Sequence, residues 1–324
     1  MDNERYTCIT LRNDRSTLAE DVRQGLTAPN KWLPCKYFYD PEGDALFVQI
    51  SGLPEYYLTR VETAILNRYA VRIIECCPSN LTLVELGSGD STKSRYLIEP
   101  CLTRQQELTY YAVDISPTGL ENGTRQLLQD YPRLRVVGVA AEFEDGLRYL
   151  AGAGDSRPRL IVFLGSTIGN FTEEEVAQFF TMLRGHLRPT DRLLLGVDLI
   201  KDPAVLEAAY DDAQGITAKF NLNILTRLNR ELSAHFDLAA FRHRAVWNDE
   251  RNRIEMRLVS VRDQRVKIAE LALDIEFRQD ETIHTENCHK YSKDHMESLL
   301  TDHGFQVLGS FSDSQERFCL FLAS

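Results

Sequence analysis

Short apolar runs rich in β-branched residues alternate with segments of helical period between residues 61 and 200, and this rhythm constrains the fold more than any other feature. Helices are expected at 61–77, 91–100, 117–130, 144–150 and 172–187, and strands at 81–86, 108–113, 134–139, 159–164 and 191–198. Several strands are apolar almost throughout, as happens when helices cover both faces of a parallel sheet. The implied architecture is α/β, with a doubly wound sheet. After residue 200 the rhythm changes to helices at 202–214 and 219–234, strands at 242–248, 252–261 and 269–277, a helix at 292–303, and strands at 305–311 and 316–323. No linker-like composition marks the change. The expected organisation is a sheet domain at 61–200 and a second, α+β domain built from 1–60 and 201–324. The last two strands could instead join the main sheet.

The formal charge of −11 supplies no basic field for phosphate backbones or anionic lipid, so neither nucleic acid nor membrane is expected as a partner. A small-molecule substrate fits better. The seven cysteines are odd in number and scattered without C-x-x-C spacing, which suits a reducing cytoplasm and neither a disulfide framework nor a thiolate zinc site. Cys76 and Cys77 end an amphipathic helix and read as buried or partly buried thiols. The first residues carry no apolar signal core, and no apolar run reaches the roughly 18 residues of a membrane span. A cytoplasmic monomer is expected.

The run 81–86 leads into Gly87-Ser88-Gly89-Asp90-Ser91-Thr92-Lys93-Ser94, a turn in which two positions without Cβ let a ligand approach the backbone. Thr92 stands where a G-x-G-x-x-G fingerprint has its third glycine, so the turn lacks the helix packing that a dinucleotide pyrophosphate wants. Glu85 suits a ligand with a cationic end. Asp114 follows the next strand and can accept hydrogen bonds from both ribose hydroxyls; its plain alternative is a helix cap. Glu142-Phe143 follows the third strand, an acid for an adenine amino group beside a ring for its face, or simply an acid in water. Three such strand ends in register favour a nucleoside ligand. The fourth strand ends in Gly165-Ser166-Thr167-Ile168-Gly169-Asn170, at the sheet edge where open α/β folds place substrates. Asn170 could also cap a helix beginning near Phe171. Farther on, Glu286 lies between His284 and His289, and strict alternation would put it on the face of His284 and opposite His289. That arrangement makes a joint metal site awkward, and no metal is expected.

Together these stretches resemble the ergothioneine-pathway histidine N-α-methyltransferases, which make the trimethylated betaine hercynine. The resemblance rests on Tyr37-Phe38-Tyr39-Asp40, Leu53-Pro54-Glu55-Tyr56-Tyr57, Val84 to Gly89, Phe163 to Asn170 and Asp198-Leu199-Ile200-Lys201-Asp202. It extends through Tyr210-Asp211-Asp212, Asn229-Arg230-Glu231-Leu232 and Ile254-Glu255-Met256, covering about residues 18 to 320. It implies a Rossmann-like class I methyltransferase domain with a second, substrate-binding domain, and S-adenosylmethionine as the cofactor, leaving as S-adenosylhomocysteine. Gly87, Lys93, Asp114, Glu142 and Phe143 would then hold the cofactor. Tyr39, Phe47 and Gly165 would surround the reacting amine, and together with Asn170 they form the implied catalytic group. Asn170 and Tyr210 would bind the substrate carboxylate, while Tyr56, Met256, Glu286 and Cys288 would enclose the imidazole.

Two departures bear on these implications. The family often carries aspartate where this chain has Glu142, and commonly serine where it has Cys288. A thiol is the weaker hydrogen-bond partner, so the Cys288 change admits N-methylation of another amino acid, such as tyrosine or tryptophan. Retained Glu286 and Met256 speak against that alternative. A catalytically silent S-adenosylmethionine-binding protein would not need Tyr39, Phe47 and Asn170 together. An NAD dehydrogenase is disfavoured by the missing third glycine.

Overall fold

The structure, a computed structural model, describes residues 5–11 and 17–324. The chain divides into two units. The first comprises the described residues of Met1–Asn13 together with Leu58–Ile200 and Tyr291–Ser324; the second comprises those of Asp14–Tyr57 together with Lys201–Lys290.

The first unit is built on an eight-stranded sheet. From one edge to the other its strands are Tyr6–Thr10, Leu134–Ala140, Leu108–Asp114, Thr82–Leu86, Arg159–Phe163, Arg192–Asp198, Phe318–Ala323 and Val307–Ser312. The first six pair in parallel, and the last two add antiparallel. Thr82–Leu86, Arg159–Phe163 and Phe318–Ala323 are buried at every position, as a sheet covered on both faces requires. From Thr82–Leu86 the chain winds outward in one direction through Leu108–Asp114 and Leu134–Ala140, then returns to Arg159–Phe163 on the other side. The strand order therefore reverses beside Thr82–Leu86, and the carboxyl ends of the strands at such a reversal are where open α/β sheets bind ligands.

Two stretches expected in the second domain cluster with the first unit instead. Phe318–Ala323 pairs with Arg192–Asp198 along six residue pairs and carries Val307–Ser312 with it, and Tyr6–Thr10 pairs with Leu134–Ala140. These pairings join strands far apart in sequence, which local periodicity does not register.

The second unit carries a four-stranded sheet in the order Lys31–Trp32, Thr282–His289, Arg253–Ser260, Phe241–Asn248, and a hairpin of Gln264–Ile268 with Leu273–Phe277. The single strand expected at 269–277 is therefore the second arm of a hairpin, entered through a turn with Ala272 in the left-handed region. The helices Pro41–Ser51 and Ile216–Glu231 complete the layer, with Phe38 and Phe220 in contact at 4.7 Å between ring centroids. Asp40 caps the first of them, accepting from Gly43 N–H at 2.8 Å while Asn223 and Arg230 bind the same carboxylate. This network ties the Tyr39–Asp40 segment to the long helix.

Candidate active site

In the first unit, the strand Thr82–Leu86 ends in a turn whose glycines both occupy the left-handed region, Gly87 at φ 72° and Gly89 at φ 51°. Only glycine adopts such angles at little cost. Gly87 N–H donates to the Val113 carbonyl at 2.8 Å, and Gly89 N–H donates to Asp114 Oδ2 at 2.8 Å. Asp114 also accepts from Ser116 N–H, whereas the following helix Pro117–Asp130 is capped by Ser116. Asp114 is thus not that helix's cap, and burial raises its pKa despite those donors. Glu142 occupies the N-cap position of Phe143–Gly152 but makes no side-chain capping bond. Phe143 stands edge-on against Phe163, with centroids 5.1 Å apart, and a Cβ on Gly87 would lie 3.6 Å from its ring. Four of the expected cofactor residues, Gly87, Asp114, Glu142 and Phe143, accordingly ring the ends of neighbouring strands.

Three details of this turn differ from the sequence reading. The helix expected from residue 91 begins at Arg95, because Ser91 adopts φ 53° and interrupts helical geometry. The close packing denied by Thr92 comes from Gly123 on the next helix, where a Cβ would lie 2.6 Å from the Asp90 carbonyl. Glu85 is buried and engaged by Ser94 and Tyr110 rather than turned to a ligand; burial pushes it up to about 7, although both hydroxyls and Lys93 oppose that shift.

Asn170 closes a short 3₁₀ turn, Thr167–Asn170, and the helix Glu173–His186 is capped by Thr172 through a capping box with Glu175. The capping alternative for Asn170 is therefore removed. Gly165 at φ 75° and Ser166 at φ 56° open this loop.

In the second unit the aromatic side chains gather. Phe47, on Pro41–Ser51, meets Tyr39 at 5.8 Å and Tyr56 at 6.2 Å, both edge-on, and Tyr56 meets Tyr210 at 6.1 Å. Phe220, on Ile216–Glu231, contacts both Tyr39 and Phe47. It belongs to the cage although no motif marked it; its position on the inward stripe of a helix was the only signal.

The strands Arg253–Ser260 and Thr282–His289 supply the polar wall. Met256 pairs with Glu286, and Ile254 with Cys288. A register shift between His284 and Glu286 makes Thr285 and Glu286 both buried in succession. This bulge reverses the alternation before Glu286, so Glu286 shares the face of Cys288, while His284 falls on the other face with Asn287 and His289. The expected pairing of Glu286 with His284 is corrected accordingly. Among the described residues, no group of three or more His, Cys, Asp or Glu side chains is arranged to hold a metal ion.

Glu286 is buried, and desolvation pushes its carboxyl up to about 7, partly offset by the cation of Lys290. Lys290, also buried, donates to Tyr210 Oη at 2.8 Å, and Tyr210 Oη lies 2.9 Å from Cys288 Sγ. Tyr39 is raised well above its ordinary value by burial and by the charge of Glu286, so its hydroxyl stays protonated. The aromatic cluster thus runs through Tyr56 and Tyr210 to Cys288 and Lys290, with Glu286 on the same strand face as Cys288. Lys290 escaped the sequence reading because nothing distinguishes a buried lysine from a solvated one at that stage.

Residues 18–324 match the family described as histidine-specific, S-adenosylmethionine-dependent methyltransferases. The chain belongs to this family. It is 42% identical over 306 residues to a histidine N-α-methyltransferase of Mycolicibacterium smegmatis, covering 94% of each chain. A protein of the same name from Mycobacterium tuberculosis is 41% identical over 307 residues, covering 95% of this chain and 94% of that one. The ergothioneine biosynthesis protein 1 of Neurospora crassa is 32% identical over 288 residues, covering 88% of this chain and 32% of its own length.

As a member of this family the enzyme uses S-adenosylmethionine, and the residues of the glycine turn fit that group. Missing Cβ atoms at Gly87 and Gly89 leave the backbone open, and the buried Ser88 Oγ has no hydrogen-bond partner among the described residues. Asp114, Glu142 and Phe143 stand at the ends of neighbouring strands, where two carboxylates and a ring face could meet a ribose and an adenine. No helix among the described residues is long and apolar enough to cross a membrane.

Proposed function

We propose that this enzyme methylates the α-amino nitrogen of free histidine three times in succession, giving N-α,N-α,N-α-trimethylhistidine, the hercynine of ergothioneine biosynthesis. The observation that carries this reading is the buried Glu286 beside the aromatic cage. A carboxylate held there accepts an imidazole N–H and would be left without that partner by an apolar side chain, which penalises competing amino acids. Identities of 41–42% to two histidine N-α-methyltransferases support the same substrate.

In this reading Gly87, Lys93, Asp114, Glu142 and Phe143 hold the cofactor, and a separate set of side chains holds the amino acid. S-adenosylmethionine supplies an electrophilic sulfonium methyl. The chain's own task is to hold a neutral amine in line and to tolerate the cation that results. Tyr39 and Phe47 present ring faces to that cation, an attraction of about 0.5–2 kcal/mol per face. Gly165 carries no side chain, leaving room near the amine, and Asn170 binds the substrate carboxylate. Tyr210, its hydroxyl braced by Lys290, does the same from the end of Pro203–Tyr210. Tyr56, Met256 and Cys288 border the imidazole. The reading needs no dedicated base, since each departing proton can pass to water. It takes the enzyme to work on a small molecule as a cytoplasmic monomer.

The test is nuclear magnetic resonance of histidine incubated with the enzyme and S-adenosylmethionine carrying a ¹³C-labelled methyl. A single trimethylammonium resonance at completion is expected. Label on an imidazole nitrogen, or none on histidine, would refute the assignment.

A further inference from the structure

Glu62 lies on the helix Tyr57–Glu75, outside every motif read from the sequence, and its side chain is only 1% exposed. A carboxylate so deeply buried is costly unless its charge and its lone pairs are both met. They are met from two directions. Lys93 of the glycine turn pairs with Oε2, and Gly165 N–H donates to Oε1 at 2.9 Å and Oε2 at 3.1 Å. Gly196 makes the room, since a Cβ there would collide with Oε1. Burial works against the charge on Lys93, but Glu62, together with Glu85 and Asp90, outweighs it and raises the lysine above its ordinary value.

The loop held by this carboxylate is an improbable one. Gly165 and Ser166 are successive left-handed residues, and a serine in that region persists only where its surroundings over-determine it. Ser166 Oγ is anchored by Asp198 N–H at 2.9 Å, and Gly165 is anchored by Glu62.

We infer that Glu62 is a positioning residue whose single carboxylate ties the cofactor turn, through Lys93, to the Gly165–Ser166 loop beside the acceptor amine. The inference rests on the reading of Lys93 as a cofactor residue. Glu62 holds the ammonium where a ligand carboxylate can meet it and fixes the turn of the acceptor loop by the same atoms. Binding of the cofactor and ordering of the loop are therefore coupled through one group.

The test is a double-mutant cycle with Glu62→Gln and Lys93→Met, reading S-adenosylhomocysteine affinity by calorimetry and melting temperature alongside. Each single change should weaken binding roughly tenfold or more, and the double variant should be no weaker than the weaker single one, because both act through one pair. Glu62→Gln should also lower kcat at saturating ligands, because it replaces the charged acceptor of Gly165 N–H with a weaker, neutral one. A lower melting temperature with unchanged affinity would make Glu62 merely structural and overturn the inference, as would additive effects. Unchanged affinity in Lys93→Met would instead sink the cofactor reading of Lys93 itself. Should Glu62→Gln not fold, Glu62→Asp keeps the charge but withdraws it by one methylene; it should show the same losses in milder form, and wild-type affinity there would equally refute the inference.

Discussion

Glu286→Gln should raise stability and lower activity together, by amounts that follow from the burial of the carboxylate. In the unfolded chain the group loses its proton near its ordinary value of 4.5, whereas burial delays that loss in the folded protein to about 7. Between those values the folded state holds a proton the unfolded state has released, so this group's contribution to stability falls as pH rises through the window and stays low above it. At about 1.4 kcal/mol per pH unit, the charged carboxylate costs the folded enzyme on the order of 3 kcal/mol above pH 7. Glutamine carries no such charge. The variant should therefore melt several degrees higher than wild type at pH 8 and nearly level with it at pH 5. Glu85 titrates in the same range but is common to both proteins and cancels in the comparison. Activity should move the other way. Losing a charged acceptor for the imidazole N–H removes about 1.5–3 kcal/mol, lowering kcat/KM for histidine roughly 10- to 150-fold. Differential scanning calorimetry and steady-state kinetics across this pH range supply both readings. A variant less stable than wild type at pH 8, or one that methylates histidine at the wild-type rate, would refute the reasoning.

Other expectations follow from single contacts. Phe47→Leu removes one ring face from the cage and should lower kcat/KM by roughly 2- to 30-fold, with partly methylated intermediates accumulating in mass spectra. Cys288→Ser places a stronger hydrogen-bond partner 2.9 Å from Tyr210 Oη and should lower the histidine KM roughly 2- to 10-fold; a higher KM would show that the thiol is matched to its pocket. Asp114→Asn gives up the charged acceptor at the second strand end, and calorimetry should show about 10- to 100-fold weaker S-adenosylhomocysteine binding. Gly123→Ala drives a methyl against the Asp90 carbonyl and should destabilise the fold by about 1–3 kcal/mol while also weakening that binding.

The parts of the fold written in local periodicity were legible in the sequence. The five parallel strands from Thr82 to Asp198 lie within a residue or two of their expected positions, because buried parallel strands are continuous apolar runs that helices interrupt. What escaped depends on contacts between distant segments. The edge strand Tyr6–Thr10 is assigned to the main sheet by a partner more than 100 residues away, and a like separation left open whether the closing strands Val307–Ser312 and Phe318–Ala323 join that sheet, as they do. The bulge ahead of Glu286 is similarly silent, since one extra residue changes the face of a side chain without changing composition. Among candidate site residues, those on strand-end turns were marked by the turn itself. Glu62, Phe220 and Lys290 could not: the first two sit within helices, Lys290 directly follows the strand Thr282–His289, and each acquires its partners only from what folding brings to it.

The most direct measurement of the central claim is a competition assay. Equal concentrations of histidine, tyrosine, tryptophan and mono- and dimethylated histidine are offered with S-adenosylmethionine, and products are counted by mass spectrometry. Trimethylhistidine should be the dominant final product, with tyrosine and tryptophan unmodified. Methylation of tyrosine or tryptophan ahead of histidine, or cofactor binding without turnover of any of them, would contradict the account.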